Sequence, residues 1–484
     1  MTFNSIPFII LFPVAVLFYN LVPQRSRYLW LLFCSCAFYA FCQKEFVALL
    51  AVATLIVYIS GISLGAFDNK KIRTVILIVS AVTVLGMLFV FKYLDFTLGL
   101  FGSGLRFNIA LPLGISFYSF QAVSYIADIY KGKYAPEKNI FKLALYLSFF
   151  LSIISGPINR ADDMLPQFTA SPSFSADRAK RGMQKMLWGY FLKLAVAGRL
   201  SIIVDNVYGS CEAYSGAAIA LTALSYMFML YCDFEGYSQI AIGGGYILGI
   251  EMKENFRQPF FSSSLSEIWR RWHVSLSTWF RDYLYIPLGG NRKGRIRKYI
   301  NIFIVLFISG IWHGANLTFF VWGAVNGFFV IAGQLLLPYR DELALKLKTA
   351  LCKSDKTKRA FEDVRLFAKR VGVYILFSYT FIYFANDSVT KAYLAVKGIL
   401  TRFMPSSVSE AFTLGLGHYN LALTLAMVLF VLICDGRAYR QNCDTPSVIA
   451  KAPTVLRWAV YYALLIAILF SANLTGKEFI YSKM

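Results

Sequence analysis

Charged side chains are scarce in this chain: Asp, Glu, Lys and Arg make up only 15% of its 484 residues, whereas 58% are hydrophobic. A soluble domain averages about 25% charged residues and has no means of hiding so much apolar surface. The alternating segments of about ten residues that mark membrane β-barrels are also missing. Stretches of about 20 mostly apolar residues, enough for a transmembrane helix, recur instead. The sequence therefore predicts an all-α polytopic membrane protein.

Several other signals are missing. The eight cysteines follow no metal-binding spacing, so we predict no metal ion and no bound cofactor. There is no internal repeat of the kind that marks many transporters, and no G-x-S-x-G elbow that would carry a nucleophilic serine. The first residues lack the basic start and small-residue cleavage site of a signal peptide. We therefore expect residues 6–22 to stay in place as the first helix.

Negative charge is the scarcer sign, and the formal net charge is +22. No nucleic-acid-binding motif accompanies this surplus, so we predict no nucleic-acid partner. Lys and Arg in short loops orient membrane proteins and meet anionic lipid headgroups. The same charge can attract an acidic soluble substrate, such as a coenzyme that carries phosphates.

Hydropathy and breaker residues divide the chain into one catalytic membrane domain with five consecutive parts. Pro112 and Gly114 predict an interrupted or re-entrant helix at 110–130, because broken backbone at membrane depth needs protein or water around it. Helices are predicted near 216–232 and 238–250, and Gly243–Gly245 are expected to loosen or break the helix that contains them. The parts are 1–105, transmembrane helices; 106–337, a core with re-entrant and amphipathic helices; 338–370, a basic cytoplasmic loop; 371–473, transmembrane helices including 388–403; and 474–484, a tail.

Residues 254–300 are too polar to cross lipid as a simple span. Large apolar side chains repeat there at offsets of 0, 3, 7, 10 and 14, which is one face of a helix. We therefore predict an amphipathic helix that lies along the membrane or dips into it. The residues on this face are Trp269, Trp272, Leu276, Trp279 and Tyr283.

Histidine is the rarest ionisable residue, with only His273, His313 and His418. A histidine inside a membrane is costly and marks a candidate functional site, and its pKa suits proton transfer near neutral pH. His313 lies between two apolar runs, where Gly310 and Gly314 permit close backbone approach. It is either a general base or a residue hydrogen-bonded to a neighbouring helix. His273 is either functional or part of an interfacial belt of Trp and Arg.

Two carboxylates, Asp233 and Glu235, lie in the apolar context of YCDFEGYSQ. Charges at such positions are expensive unless they are paired or face a cavity. Arg, or the end of a helix, is the partner that we expect for them.

Six segments together resemble the membrane-bound O-acyltransferase family, and within it the bacterial, alginate O-acetyltransferase-like branch, which is related to the teichoic acid D-alanyl transferase. The resemblance is densest from about 110 to 325, and the six segments form a specific set. Glu235 and Gln239 depart from the branch pattern, which has serine and aspartate there; the departure leaves the acceptor open. The segments are PLGISFY (112–118), SGPINR (155–160), YCDFEGYSQIAIG (231–243), ENFRQPF (254–260), WRRWHVSLSTWFRDYLYIPLGGNR (269–292) and WHGAN (312–316).

The resemblance implies a ring of tilted and re-entrant helices around a central tunnel. It implies that His313 matches the family's near-invariant histidine and His273 its auxiliary histidine. It also implies acetyl-CoA as acyl donor, a membrane-lipid setting in the bacterial inner membrane, and an extracytoplasmic SGNH or serine esterase-like acetyltransferase as partner. Tyr481, in the terminal Phe-Ile-Tyr element, is a candidate acyl acceptor or an ordinary interfacial aromatic. Further substrate contacts are assigned to Arg270, Arg271, Asp233, Asn255, Asn291 and Trp312.

Three alternatives stay open at this point. An enzyme of the same fold could transfer D-alanine from a carrier protein to teichoic acid. Broken helices and buried polar residues also suit a secondary transporter. A scaffold for a secretion complex would need neither histidine. The acceptor polymer, whether alginate, peptidoglycan or another glycan, is not set by the sequence.

Overall fold

The computed structural model describes residues 2–170, 172–403 and 416–471, and within these ranges it contains helices and no strand. Two segments are π-helical, Phe191–Ala197 and Arg281–Tyr285. The α-helices are α1 Ile6–Leu21, α2 Arg27–Gln43, α3 Val47–Ala66, α4 Lys70–Lys92, α5 Leu94–Leu100, α6 Ile115–Tyr130, α7 Ile140–Ser148, α8 Ala161–Ala170, α9 Ala176–Tyr190, α10 Gly198–Gly209, α11 Gly216–Leu248, α12 Leu265–Arg271, α13 Val274–Phe280, α14 Arg295–His313, α15 Leu317–Leu351, α16 Asp355–Ala385, α17 Val389–Thr401, α18 Gly417–Gln441, α19 Thr445–Ala450 and α20 Thr454–Ser471.

Eight helical stretches among the described residues are long and apolar enough to cross a membrane. The prediction of an all-α polytopic membrane protein is confirmed. The stretches are Gln24–Ala66, Lys70–Lys92, Ala176–Gly209, Gly216–Leu248, Arg295–His313, Leu317–Leu351, Gly417–Gln441 and Thr454–Ser471.

Local sequence signals set many helix boundaries. The Asn69 side chain accepts hydrogen bonds from the backbone N–H groups of Lys71 and Ile72, and so caps α4. Gly114, with φ +73°, adopts a left-handed conformation immediately before α6. A Cβ there would lie 2.2 Å from the Ile153 carbonyl oxygen, so no larger residue fits. The interruption predicted at Pro112 and Gly114 is therefore the start of α6.

The described residues group into two compact units. The first comprises the described parts of Met1–Ala195, Asp233–Glu254 and Trp458–Met484. The second comprises the described parts of Val196–Cys232 and Asn255–Arg457. The five-part division along the chain stays a prediction.

In the first unit, glycines seven residues apart let two helices meet at backbone contact. A Cβ on Gly182 would lie 2.5 Å from the Gly243 carbonyl oxygen, and a Cβ on Gly189 would lie 2.5 Å from that of Gly236. Small residues of this kind allow close packing of membrane helices. The expected break at Gly243–Gly245 is wrong: α11 runs unbroken to Leu248, because these glycines serve packing rather than a turn.

In the second unit, α14 and α15 pack in the same close manner around the predicted His313 segment. A Cβ on Gly310 would lie 2.3 Å from the Phe319 carbonyl oxygen, and one on Gly323 would lie 2.7 Å from that of Leu306. Gly314 likewise leaves room for the Phe319 ring. The expectation that Gly310 and Gly314 permit close backbone approach agrees with this geometry.

Two sequence predictions in the second unit are wrong. The segment 338–370 is not a loop: α15 extends to Leu351, and α16 begins at Asp355. Ion pairs join the two helices, Lys348 with Glu362 at 2.9 Å and Arg365 with Asp341 at 2.5 Å, so charged residues there stabilise a helical hairpin. The segment 388–403 is not a span either, because the 13 residues of α17 reach only about 20 Å.

Candidate active site

His273 lies at a break in the helix that the aromatic periodicity predicts. α12 ends at Arg271, His273 has a left-handed backbone with φ +44°, and α13 begins at Val274. A left-handed conformation is unfavourable for a residue with a side chain. The predicted continuous amphipathic helix is therefore wrong. Three members of its stripe, Trp272, Leu276 and Trp279, are buried in the protein.

Asn255 holds this break by three contacts. Its carbonyl oxygen accepts from the backbone N–H of Val274 at 2.8 Å. Its side-chain Oδ1 accepts from the Ser275 hydroxyl at 2.6 Å and lies 3.3 Å from His273 Nδ1. Since Oδ1 can only accept, this contact is a hydrogen bond in the tautomer that carries the proton on Nδ1. In that tautomer the lone pair of the neutral ring is on Nε2.

The His273 side chain is 1% exposed. Burial lowers the pKa of His273 from 6.5 to about 3. The ring is therefore neutral at physiological pH. A neutral imidazole can accept a proton or orient a polar group, which an imidazolium cannot do.

His313 is the last residue of α14 and is 4% exposed. Aromatic rings surround it: the ring centroids of Trp312, Phe384 and Trp322 lie 5.0, 5.1 and 5.2 Å from its own. Trp322 in turn packs on Phe381 at 5.3 Å. This apolar wall keeps water from the imidazole, and electrostatic interactions are stronger in such a site.

Trp312 joins the two histidines. Its ring centroid lies 5.0 Å from that of His313 and 6.3 Å from that of His273. Two histidines far apart in the sequence therefore share one tryptophan as neighbour. Two buried imidazoles and an oriented amide, enclosed by aromatic rings, can move a proton and position a carbonyl group.

The other predicted substrate contacts of the second unit are placed differently. Arg271 is engaged within the protein: its guanidinium bonds Glu267 at 3.0 Å and donates to the Arg257 carbonyl oxygen at 3.1 Å. Arg270 is exposed, and Asn291 lies in an exposed turn before α14. The structure brings together His273, Asn255, Trp312 and His313 and leaves Arg270 and Asn291 at the surface.

Asp233 belongs to the first unit, where it pairs with Lys193 at 2.5 Å; both side chains are largely buried. Glu235 accepts from the Gln239 amide at 2.7 Å. Both carboxylates thus have partners, but Lys and Gln take the place of the expected Arg or helix end. The π-helical turn Phe191–Ala197 carries Lys193. Tyr481 lies outside the described residues.

Sequence reasoning missed several residues of these sites. A lysine inside an apolar span is a functional or structural signal by itself, and this signal could have identified Lys193. Ser275, Trp322 and Phe384 carry no such signal, because hydroxyls and aromatics are common throughout the chain. Across the ranges that the structure describes, no cluster of three or more His, Cys, Asp or Glu side chains is placed to hold a metal ion.

The fold and the site together define a class of protein. It is a polytopic helical protein with two buried histidines, one at the end of a helix and one at a break between two helices. The sequence profile of the membrane-bound O-acyltransferase family matches residues 74–348. This match spans more than half of the chain and includes both histidines. The chain belongs to the membrane-bound O-acyltransferase family and is an O-acyltransferase.

Relatives within this family share substantial identity. The chain is 39% identical to a probable alginate O-acetylase, AlgI, of Pseudomonas putida over 348 residues, 69% of this chain and 71% of the relative. It is 31% identical to the peptidoglycan O-acetyltransferase of Helicobacter pylori over 362 residues, 67% of this chain and 69% of the relative. It is 29% identical to the teichoic acid D-alanyltransferase of Bacillus subtilis over 225 residues, 45% of this chain and 57% of the relative.

Proposed function

We propose that this protein passes an acetyl group from cytoplasmic acetyl-CoA across the membrane to an acceptor of a cell-surface glycan pathway. The observation that carries the proposal is the joint burial of His273 and His313 around Trp312. Buried imidazoles in a membrane protein suit proton transfer, and acyl transfer from a thioester needs one proton moved from the attacking hydroxyl to the leaving sulfur.

The charge distribution of the first unit supports a cytoplasmic position for one of its ends. One end is formed by connectors that contact each other: Arg73 donates to the Tyr130 carbonyl oxygen at 3.0 Å, and Asn139 donates to the Tyr28 hydroxyl at 3.2 Å. The other end includes the contact of Gln43 with Leu111. The first end is the basic one and so faces the cytoplasm by the positive-inside rule. Its basic residues are Arg25, Arg27, Lys70, Lys71, Arg73, Lys131, Lys133 and Lys138.

The second unit carries its own basic end beside α12. The segment 338–370 contains ten Lys and Arg against five Asp and Glu. Gln334 donates to the Ser266 hydroxyl at 3.0 Å, and Arg370 donates to the Phe261 carbonyl oxygen at 3.0 Å. The exposed Arg270 thus lies on an element next to this basic hairpin, where positive charge favours a phosphate-bearing donor. Both units support cytoplasmic entry of the donor.

The chemistry follows from the two imidazoles. The acceptor hydroxyl oxygen attacks the thioester carbonyl carbon while His313 takes the hydroxyl proton; the carbon–sulfur bond then breaks, and the proton passes to the sulfur. His273, with Nδ1 committed to Asn255, uses Nε2 to orient the thioester or the proton path. Only the small neutral acetyl group needs to enter the membrane, because each charge of the coenzyme would cost several kcal/mol there.

The acceptor lies outside the cytoplasm in this proposal. The names of relatives that act on alginate and peptidoglycan favour an O-acetylated glycan. In this proposal an SGNH or serine esterase-like partner completes the transfer to the glycan. Tyr481 would take the acetyl group first, and the bacterial inner membrane is the location that fits. The tunnel that the family resemblance implies would connect the donor and acceptor sides.

Mass spectrometry of purified full-length protein after incubation with isotope-labelled acetyl-CoA tests this proposal. We expect label on the C-terminal peptide that contains Tyr481, and none in the His313→Ala or Tyr481→Phe variant. If the Tyr481→Phe variant still transfers label to an added esterase-like partner, acetyl transfer is supported and the tyrosine step is ruled out. Folded wild-type protein that transfers no label, to itself or to the partner, would contradict the proposal.

D-alanyl transfer is the second candidate, favoured by the similarity to the teichoic acid D-alanyltransferase. The identity and coverage are lower than for the O-acetylating relatives. A carrier protein loaded with a D-alanyl thioester is the discriminating donor. Transfer from that carrier and none from acetyl-CoA would establish this alternative.

A further inference from the structure

Asp435 is an acidic residue buried inside a candidate membrane span. It lies in α18, Gly417–Gln441, and is 1% exposed. A carboxylate at such a position is expensive and calls for a role with a named partner. α18 also lies beyond residues 74–348, to which the family profile extends.

Two hydroxyls bind this carboxylate. The Tyr231 hydroxyl donates to Asp435 Oδ2 at 2.7 Å, and the Thr445 hydroxyl donates to Oδ1 at 2.7 Å. Hydrogen bonds to a charged group are stronger than neutral ones, and leaving such a group unsatisfied is costly. Asp435 therefore fixes the Tyr231 side chain relative to α18 and α19.

Tyr231 transmits this constraint to the loop that carries His273. Its ring packs edge-on against Phe256 at 5.5 Å and lies 6.3 Å from the ring of Trp272. Phe256 and Trp272 also contact each other, at 4.9 Å. Phe256 follows Asn255 and Trp272 precedes His273. The Tyr231 ring thus packs on both of the chain segments that Asn255 holds together, the one after Asn255 and the one before His273.

One helical turn after Asp435, the same face of α18 contacts the region before His273 again. The Tyr439 ring stacks on Phe261 at 5.4 Å and lies 4.8 Å from the guanidinium of Arg271. Gln258 donates to the Cys443 carbonyl oxygen at 3.3 Å. α18 and the connector after it therefore hold residues 256–272 at several points.

We propose that Asp435 is a positioning residue that acts through Tyr231 and Trp272 to hold His273 in its left-handed, buried conformation. The inference builds on the proposed function only for the role of His273 in turnover. Asp435 touches no reacting atom. It fixes the geometry of a loop whose backbone is unfavourable by itself.

The first test reads the position of His273 without any acyl donor. Full-length protein is treated with diethyl pyrocarbonate, and modification of each histidine is followed by mass spectrometry. In the wild type we expect exposed His418 to react and buried His273 to be protected. In Asp435→Ala we expect His273 to react about tenfold faster, as for loss of a buried hydrogen bond to a charged group, with His418 unchanged.

The second test reads turnover through a double-mutant cycle. Asp435→Ala should lower acetyl turnover by about 10- to 100-fold, the range that a small misplacement of a catalytic group produces. In the His273→Ala background it should cause little further loss, because the residue through which it acts is absent. An equal fold-loss in both backgrounds would assign Asp435 a general structural role and overturn the proposal.

Two nearly isosteric variants distinguish the contact from Asp435 through Tyr231 to Trp272 from the other hydrogen bond of the same carboxylate. Tyr231→Phe removes the bond that leads toward Trp272, whereas Thr445→Val removes the other bond to the same carboxylate. The proposal expects the larger increase in His273 modification from Tyr231→Phe, and none from Tyr419→Phe at an 83% exposed position of α18. Equal effects of Tyr231→Phe and Thr445→Val, or continued protection in Asp435→Ala, would contradict it. If the modification of His273 changes as expected in these variants but the wild-type protein transfers no acetyl group, the proposed function is overturned and the positioning role of Asp435 stands.

Discussion

The two buried histidines differ in the contacts that surround them. His273 is fixed by polar contacts: Asn255 touches its ring at 3.3 Å and bonds the backbone of the next residue. His313 is fixed by aromatic packing from Trp312, Trp322 and Phe384 at the end of a regular helix. Polar contacts define a tautomer, whereas aromatic packing defines a dry environment. This difference supports the roles proposed above, in which His273 orients a group and His313 is the base whose reactivity depends on exclusion of water.

Of the two histidines, His313 is the one whose replacement should lower acetyl turnover most. Proton transfer by one positioned side chain contributes about 10²- to 10⁴-fold, so His313→Ala should lower acetyl turnover by that factor. Removal of a buried ring leaves a cavity, but the glycine-mediated packing of α14 on α15 should keep the fold. Acetyl turnover at equal membrane abundance is the measurement, with exposed His418→Ala as the matched control. A variant with wild-type turnover would show that His313 is a packing residue.

A smaller effect is expected at His273, where backbone and side chain can be separated. Both His273→Gly and His273→Ala remove the imidazole and should lower turnover to a similar degree, about 10- to 100-fold for a lost orienting contact. Their stabilities should differ, because a left-handed backbone costs about 1–2 kcal/mol for Ala and little for Gly. Thermal unfolding in detergent provides the comparison. Equal stabilities would indicate that the loop relaxes to an ordinary backbone conformation.

The sequence accounts for these two sites unequally. Apolar runs and scarce charge predicted the helical membrane fold, and the motif set predicted both histidines as candidate site residues. Periodicity failed at 265–285, since the Asn255 side chain and the Tyr231 ring, distant in sequence, override the local helical pattern at His273. It also failed at 338–370, where ion pairs between two helices stabilise residues that are polar enough to suggest a loop.

Buried single charges were the signal that sequence analysis underused. Lys193 and Asp435 each lie inside an apolar span, and each is satisfied by a residue about 40 or 200 positions away, Asp233 or Tyr231 respectively. A pattern along the chain gives the cost of such a charge but not the identity of its partner. Helix packing decides the partner, and so only the structure reveals that Asp435 bonds Tyr231, whose ring packs on the His273 loop.

Asn255 tests the polar half of the comparison with a smaller expected effect. Asn255→Ala removes the acceptor shared by Ser275 and His273, and should lower stability by about 1–3 kcal/mol for buried donors left without partners. Asn255→Asp keeps an acceptor at the same position. Compared with Asn255→Ala, it should recover a larger part of the wild-type turnover than of the wild-type stability. Unfolding curves and acetyl turnover of both variants would measure this split. Equal turnover of Asn255→Ala and wild type would show that the tautomer of His273 does not matter.

The smallest expected effect is the pH dependence of stability at His273. Burial lowers the pKa of the folded-state imidazole from 6.5 to about 3, so between these values the unfolded chain binds a proton that the folded chain does not. Stability is therefore fully present above pH 6.5 and falls as the pH falls toward 3. His273→Gln should flatten this decline. Melting temperatures in detergent between about pH 7 and about pH 4 provide the measurement, and parallel curves for wild type and His273→Gln would show that the His273 ring becomes protonated without leaving its place.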